Sequence, residues 1–558
     1  MPFKSSLPDV PIPTEPYGER VLNALWKHSI EMPQKPALID VNDYNKVVTF
    51  GELYAQSLSV SAYLDKIRFG HGDVACTVMQ NCFEFFPVFV GVSLNGGATS
   101  LCSCQYTEYE IERQFKDCGC SIVFCTDGAL KKVLKAARNC PNVKMIVVAP
   151  QGQDARTDLP FGVVHIRDVF SCQPNLYKRK ISIDVSRDIL ILPYSSGTTG
   201  VPKGVMISHR NFGTMMNVYT SHYDSHIFPK LGKDFQSKDD VVLNIAPLYH
   251  VAGLSGFNAA ILEGASTVIF PHFEPHSFCK AIQDFKVRFL RIVPPLIVLL
   301  AKSPIVDNYD LSSVIAVGTG AAPTGKELCE DLVKRHPNIK YITQGYGMTE
   351  VTTACHVPYI SDSDSKFGNS GQLCPNMEMM IVDPTTKQEV ALGEKGEIWV
   401  RGPLVMMGYL NRPQATAETV DDNGWLHTGD IGYTDKEGFI YVVDRLKELI
   451  KVKGLQVPPA ELEDLLLSHP MIKDAAVVGV PNEKDGEHPV AFVVRLGEAL
   501  TEREVKDFVK ERVAKYKQLS GGVHFINEVP KSPSGKILRR YLKDEAILLT
   551  KAVTKSKI

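Results

Sequence analysis

The chain has 558 residues, 44% of them hydrophobic and 22% charged, with a formal net charge of −2. That length is too great for one ordinary core, so two or more domains are expected. The near-neutral balance argues against a general nucleic-acid or anionic-membrane surface. The longest apolar run, residues 292–301, carries Pro294 and Pro295 and falls far short of spanning a membrane. Met1-Pro2-Phe3-Lys4 lacks the apolar core of a secretory signal, so a soluble intracellular protein is expected.

Residues 1 to about 190 alternate helical and strand-like patterns, as an α/β domain does. Thr49 with Glu52 predicts a capping box opening a helix. Residues 74–79 read as a strand, 83–94 as an apolar helix, and 121–125 and 145–148 as further strands. The alternation returns between 240 and 350, with strands at 241–244, 267–270 and 314–317. After about 370 the pattern changes to strands and turns (379–382, 396–400 and 439–443), with Asp435-Lys436-Glu437-Gly438 as a hairpin turn. A smaller α+β unit follows Asp444-Arg445-Leu446-Lys447, with a helix at 460–467, strands at 475–480 and 490–494, and a long helix from Thr501 burying Val505, Phe508, Val509 and Val513. The expected division is 1–446 and 447–558: a large domain of α/β subdomains plus a β-rich subdomain, then a small mobile α+β domain.

Nine of the thirteen cysteines precede residue 173. The Cys102/Cys104 and Cys118/Cys120 pairs invite a zinc reading, but structural zinc usually shows C-x₂₋₄-C spacing with a second matching pair or histidines. Reduced, partly buried thiols are expected instead.

Chemistry concentrates in a glycine-rich stretch after the apolar run 189–192: Tyr194-Ser195-Ser196-Gly197-Thr198-Thr199-Gly200-Val201-Pro202-Lys203-Gly204. Its glycines can turn successive N–H groups toward an anion, its hydroxyls add donors, and Lys203 adds a point charge suited to phosphate. It is not a Walker A loop, because Pro202 stands where the second glycine belongs. Six further stretches share its character. They are residues 247–253 around His250, Gly318-Thr319-Gly320-Ala321-Ala322-Pro323, Thr343-Gln344-Gly345-Tyr346-Gly347-Met348-Thr349-Glu350, His427-Thr428-Gly429-Asp430, residues 444–454, and Pro530-Lys531-Ser532-Pro533-Ser534-Gly535-Lys536.

In this order the seven stretches resemble the adenylate-forming enzymes, the superfamily of acyl-CoA synthetases, 4-coumarate–CoA ligases and beetle luciferase, from about Thr49 to Lys536. The resemblance implies a two-step reaction. A carboxylate attacks the α-phosphate of ATP to give an acyl-adenylate and pyrophosphate, and a thiol, usually of coenzyme A, then displaces AMP. It implies that Ser195, Ser196, Gly197, Thr198, Thr199, Gly200 and Lys203 grip the β- and γ-phosphates. Thr349 would meet the α-phosphate, and Glu350 would help hold Mg²⁺. Tyr346 would stack on adenine against Gly320, Ala321 and Ala322, with Gln344, Gly345 and Gly347 beside it. Asp430 and Arg445 would take the ribose, Lys536 would bridge the two reacting anions, and His250 would stand near the carboxylate. The small domain would rotate at Asp444–Lys447, with Lys447 as pivot, withdrawing Lys536 and presenting Lys451 to Gly454 for coenzyme A.

Residues 250–254 lack the aspartate that an amino-acid substrate's ammonium would need. A pocket from Ala252, Gly320, Ala321, Thr353 and Ala354 suits a fatty or arylalkanoic acid. The motifs leave open a luciferase-type oxygenase and a nucleotide-binding pseudoenzyme. Ser556-Lys557-Ile558 is close to the peroxisomal Ser-Lys-Leu address, so an import receptor is an expected partner and a peroxisomal location is expected, otherwise cytoplasmic.

Overall fold

The computed structural model describes residues 2–151, 159–174, 181–195, 202–233, 235–322, 324–360, 367–453, 455–482, 485–532 and 535–555, without the side chains of 456 and 550–555. Its largest sheet has eight strands, in the order Gly408–Tyr409, Lys203–Ser208, Ile189–Ser195, Ala98–Leu101, Val74–Val78, Ile122–Thr126, Met145–Ala149 and Val163–His165. The last six run parallel, and the first two are antiparallel additions. Parallel strands covered on both faces read as apolar runs rather than alternations, which is why the strands at 74–78, 122–126, 145–149 and 189–195 declare themselves in the sequence; Ala98–Leu101 and Val163–His165 are too short or too polar to do so.

A second sheet joins Val241–Asn244, Ser266–Ile269, Pro36–Asp40 and Asp43–Thr49. A third is a parallel trio of Phe289–Ile292, Ala316–Thr319 and Tyr341–Gln344. The β-rich part is an antiparallel sheet of Glu378–Val382, Gly396–Arg401, Leu426–Thr434 and Ile440–Arg445, extended at its edge by Phe3–Lys4 from the start of the chain. In the small domain Ile472–Asn482 and Gly486–Arg495 form a long hairpin, flanked by Ile450–Val452 with Leu455–Val457 and by the parallel strand Gly522–Phe525.

The predicted capping box forms as read, with the Glu52 N–H donating to the Thr49 hydroxyl at 3.2 Å and the Thr49 N–H to Glu52 Oε2 at 2.7 Å. Gly438 takes φ +83° and its N–H donates to the Asp435 carbonyl, closing the predicted hairpin. Two expectations need correction. The strand expected at 314–317 is Ala316–Thr319, because Val314 closes a tight turn on the Leu311 carbonyl. The helix after Thr501 is short, Glu502–Lys510. Val505 and Val509 are buried along it as expected, but Val513 lies past its end and packs against the core from a turn. The long helix of the small domain is instead Arg539–Lys555. All thirteen cysteines are free, and eleven are buried. Cys76, Cys102, Cys118 and Cys120 share one apolar cluster, and among the described residues there is no metal-ligating group of three or more. No described helix is long and apolar enough to cross a membrane.

Candidate active site

Two strand ends set one wall of the site. The trio strands Ala316–Thr319 and Tyr341–Gln344 are parallel neighbours, so the chain leaves both at the same edge, where open α/β sheets gather ligands. The Gly345 N–H continues the ladder to the Thr319 carbonyl at 3.0 Å, bringing Gly320 alongside Gly345. A Cβ on Gly320 would stand 3.3 Å from the Gly345 carbonyl oxygen, so side-chain-poor backbone forms a flat surface there. Ala321 is exposed on that surface in the left-handed region at φ +69°, a strained conformation for a residue with a Cβ. Gln344 is committed elsewhere. Its amide donates to the Thr324 carbonyl and accepts from the Thr324 N–H, both at 3.0 Å, so it clamps the backbone at Thr324.

Tyr346, two residues past the strand Tyr341–Gln344, and Asp430, within the strand Leu426–Thr434 of another sheet, meet here. The Tyr346 hydroxyl donates to Asp430 Oδ2 at 2.6 Å. Asp430 and Arg445 are directly opposed on adjacent antiparallel strands, and Arg445 Nε lies 3.3 Å from Asp430 Oδ1. Burial pushes the Asp430 carboxyl above its ordinary range, while Arg445, Tyr346 and Lys536 pull it back. That carboxylate is held in place by groups that leave it available as an acceptor.

Lys536 reaches this cluster from the small domain. It sits in a turn closed by the Lys531–Ile537 bridge, with its N–H donating to the Ser532 hydroxyl at 3.2 Å. Gly535, at φ +82°, packs against Pro295 and Val293 of the large domain. Burial is the main cause that lowers the Lys536 ammonium to about pKa 8. Arg445 pushes it the same way, while Glu448, Asp430 and Glu350 oppose the shift. The ammonium is therefore within electrostatic reach of carboxylates from both domains.

The glycine-rich stretch is described only at its two ends. Ser195 and Lys203 are the final opposed pair of the antiparallel hairpin formed by Ile189–Ser195 and Lys203–Ser208; Ser196, Gly197, Thr198, Thr199 and Gly200 lie outside the described residues, as does Gly454. Lys203 Nζ stands 4.8 Å from the centre of the Tyr409 ring, and the Tyr409 hydroxyl donates to Glu350 Oε1 at 2.9 Å. Tyr409 is therefore a link that motif reading missed, between the loop's lysine and the buried Glu350. It belongs to a two-residue edge strand, Gly408–Tyr409, whose only signal in the sequence is an aromatic after a glycine.

Glu350 follows Thr349 in a single tight turn, Thr349–Val351. Thr352 and Thr353 continue it at φ +53° and +99°. Thr352, Thr353 and Ala321 thus place three positive-φ residues with side chains within the motif stretches, the kind of backbone strain that functional sites hold. Gly347 is obligatory there, since a Cβ would stand 2.2 Å from the Thr353 carbonyl oxygen. His250 precedes the helix Val251–Glu263. Its Nε2 is buried with no hydrogen-bond partner among the described residues, and burial lowers the ring to about pKa 4. A neutral imidazole with an unused nitrogen is equipped to meet a substrate. Ala252, two residues on, is exposed, Ala354 is buried, and Thr353 Oγ1 lies 2.7 Å from Ser255 Oγ. Lys451 sits elsewhere, exposed on Ile450–Val452, with its backbone N–H donating to Glu487 Oε2 at 2.9 Å.

Residues 25–410 match the family model "AMP-binding enzyme", and residues 461–536 match "AMP-binding enzyme C-terminal domain". The chain belongs to the AMP-binding, adenylate-forming enzymes. It is 40% identical over 551 residues to 4-coumarate–CoA ligase 1 of Solanum tuberosum, covering 97% of this chain and 96% of the relative. It is 39% identical over 557 residues to a probable 4-coumarate–CoA ligase 1 of Dictyostelium discoideum, covering 97% of each. Among solved structures, the anthranilate CoA ligase AuaEII superimposes with a TM-score of 0.84 at 23% identity, covering 98% of this chain and 99% of that one, and so bears on fold alone. The o-succinylbenzoate CoA synthetase MenE from Bacillus subtilis gives 0.76 at 28% identity, covering 94% and 98%. AMP-binding enzymes of this build pair a large N-terminal domain with a small C-terminal one, and the seven motifs fall on both.

Proposed function

We propose that this chain is an ATP-dependent acid–thiol ligase that makes an acyl-adenylate and then an acyl-CoA thioester from a fatty or arylalkanoic acid. The observation that carries the reading is the docking of Gly535, next to Lys536, against Pro295 and Val293 of the large domain, with Lys536 within electrostatic reach of Arg445, Asp430 and Glu350. Asp430 accepts from the ribose hydroxyls, with Arg445 beside it. Tyr346 and the Gly320–Ala322 backbone sandwich the adenine. Ser195 and Lys203 begin and end the loop that takes the β- and γ-phosphates, and Thr349 meets the α-phosphate.

In the first step a carboxylate oxygen forms a bond to the α-phosphorus as the bond to pyrophosphate breaks. Charge accumulates on the phosphoryl oxygens, and the Lys536 ammonium lowers that barrier while bringing the carboxylate and α-phosphate together. In the second step the thiol sulfur attacks the acyl carbon, and AMP leaves. Glu350 is suited to a magnesium ion. Its Oε1 accepts from Tyr409, and Mg²⁺ takes one or two carboxylates with substrate phosphates rather than a full protein cage. When bound, that ion would neutralise phosphate charge.

The small residues around Ala252, with no carboxylate in 250–254 to pair an ammonium, favour an apolar acid. The 4-coumarate–CoA ligase relatives add weight to the arylalkanoic class. Where Ser556-Lys557-Ile558 stands at the C terminus, it supports delivery to the peroxisome, testable by import of a reporter carrying that tripeptide. The decisive test of the ligase reading is coenzyme A-dependent AMP release across short, medium, long and aromatic acids. Acid-dependent release is the expected result; its absence with every acid overturns the reading in favour of a pseudoenzyme, and light emission with luciferin overturns it in favour of an oxygenase.

A further inference from the structure

The small-domain helix Pro459–Leu467 is held at both ends by the large domain. Its own N-cap, Pro458, supplies no capping side chain. Asp444 of the large domain does so instead, accepting from the Ala460 N–H at 3.0 Å. Ala460 is the second residue of the helix, a position that an N-cap side chain ordinarily serves. At the opposite end, Lys302 Nζ donates to the Leu467 carbonyl at 2.7 Å, a cation placed where the helix presents its unpaired carbonyls.

The same helix returns the contact. The large-domain helix Lys326–Arg335 begins at Gly325, which has no side chain to cap it. The space where a side chain of residue 325 would start is filled by Asp464 of the small-domain helix. A Cβ on Gly325 would lie 1.3 Å from Asp464 Oδ1 and 2.0 Å from its Cγ. Asp464 also acts electrostatically on Cys329, a full turn into that helix. An anion at a helix N-terminus is favourable, so each domain supplies to a helix of the other what that helix lacks.

We propose that these three end contacts, Asp444 to Ala460, Lys302 to Leu467 and Asp464 to Gly325, form a latch that selects the orientation in which Lys536 occupies the site. Asp444 lies before the pivot residue Lys447 and the helix lies after it. Rotation of the small domain between the two chemical steps therefore breaks the contacts to Lys302 and Gly325 and separates Asp444 from Ala460. The latch deepens the ligase reading above and rests on it for the two-step consequence. Asp464, Lys302 and Asp444 are positioning residues; they act through the placement of Lys536.

The test uses full-length enzyme and two variants that approach the same contact from opposite sides. Asp464→Ala removes the carboxylate. Gly325→Ala places a methyl group where that carboxylate sits, and residue 325 has φ −66°, which alanine adopts without strain. Three readouts are needed: acid-dependent ATP–pyrophosphate exchange, thioester formation from supplied acyl-adenylate and coenzyme A, and the distance between fluorophores on the two domains. The latch predicts that each variant slows exchange about tenfold, the scale of losing one hydrogen-bond-sized contact. Thioester formation should be unchanged or faster, and the interdomain distance should lengthen. The double variant should be no worse than either single one, because both abolish one contact. Equal loss of both half-reactions, an unchanged interdomain distance, or additive effects would overturn the latch. If the unsubstituted enzyme shows no acid-dependent exchange, the ligase reading fails, while the interdomain distance still decides the latch.

Discussion

The two halves of the site differ in how their charged groups are held. In the large domain, Asp430 is fixed by the Tyr346 hydroxyl, by Arg445 across a strand pair, and by its own N–H on Thr428 Oγ1 at 3.1 Å. Remove the small domain and those contacts survive. Lys536, by contrast, rides on a turn whose internal supports are the Ser532 hydroxyl and the Lys531 ion pair with Asp474 at 2.7 Å. Its place among Asp430, Arg445 and Glu350 depends on docking of a whole domain. On the function proposed above, the nucleotide's ribose and base would meet a preorganised surface, while the group that would serve phosphoryl chemistry would arrive and depart with its domain. Preorganised groups act in every step that uses the nucleotide; a delivered group can be confined to one.

The largest expected effect breaks the delivered half alone. Lys536→Ala should slow ATP–pyrophosphate exchange by about 10²–10³-fold, the usual consequence of losing one charge-stabilising donor. Thioester formation from supplied adenylate should be spared. Equal loss of both steps would mean that the lysine is needed throughout. Asp430→Asn attacks the fixed half. Hydrogen bonds to charged groups contribute about 1.5–3 kcal/mol, so affinity for ATP should fall by roughly 10–100-fold. Because the adenylate carries the same ribose, the second step should weaken too. A variant that impaired only the first step would contradict a ribose contact for Asp430.

Acidity offers a gentler probe of the same contrast. Burial and Arg445 hold Lys536 at about pKa 8 rather than 10.5. The ammonium is present below that value and is lost as pH rises through it. In the free enzyme, kcat/KM for adenylation should therefore decline above about pH 8, toward tenfold per pH unit. Lys536→Arg, which stays charged, should flatten that alkaline limb even where its absolute rate is lower. An alkaline limb unchanged in Lys536→Arg would assign the decline to another group.

Much of the fold was legible because its signals are local. The Thr49–Glu52 and Thr501–Glu504 capping boxes, the Asp435–Gly438 turn and the apolar parallel strands each declare themselves within a few residues. What escaped depends on distant partners. Phe3–Lys4 becomes a strand only against Met379 and Glu378. The helix after Thr501 stops at Lys510 although apolar residues continue, because Val513 packs from a turn. At the site, the motifs pointed to residue types and order, whereas the Tyr346–Asp430 bond spans 84 residues and ties the segment after one sheet to a strand of another. Gln344 shows the limit most clearly. It looks like a ligand contact in the motif, yet its amide is closed on the Thr324 backbone, which no spacing rule reveals.

Tyr409 gives the smallest and sharpest prediction, because it lies between the two kinds of holding. Its ring carries Lys203 on one face, and its hydroxyl donates to the buried Glu350. Tyr409→Phe keeps the ring, and with it the cation–π contact, whose exposed-site value is about 0.5–1 kcal/mol. It removes only the hydrogen bond, leaving one buried carboxylate oxygen short of a donor at a cost of about 1–3 kcal/mol. Thermal stability should therefore drop by a few degrees at most, as expected for a domain of this size. Affinity for the nucleotide phosphates without divalent cation should change little, since Lys203 keeps its seat. The effect on activity should appear in the dependence on Mg²⁺ concentration, where a Glu350 freed from its donor reorients. Titrating Mg²⁺ at fixed ATP separates the outcomes: a shifted requirement places Tyr409 behind Glu350, and an unchanged one with weaker ATP binding places it behind Lys203 instead.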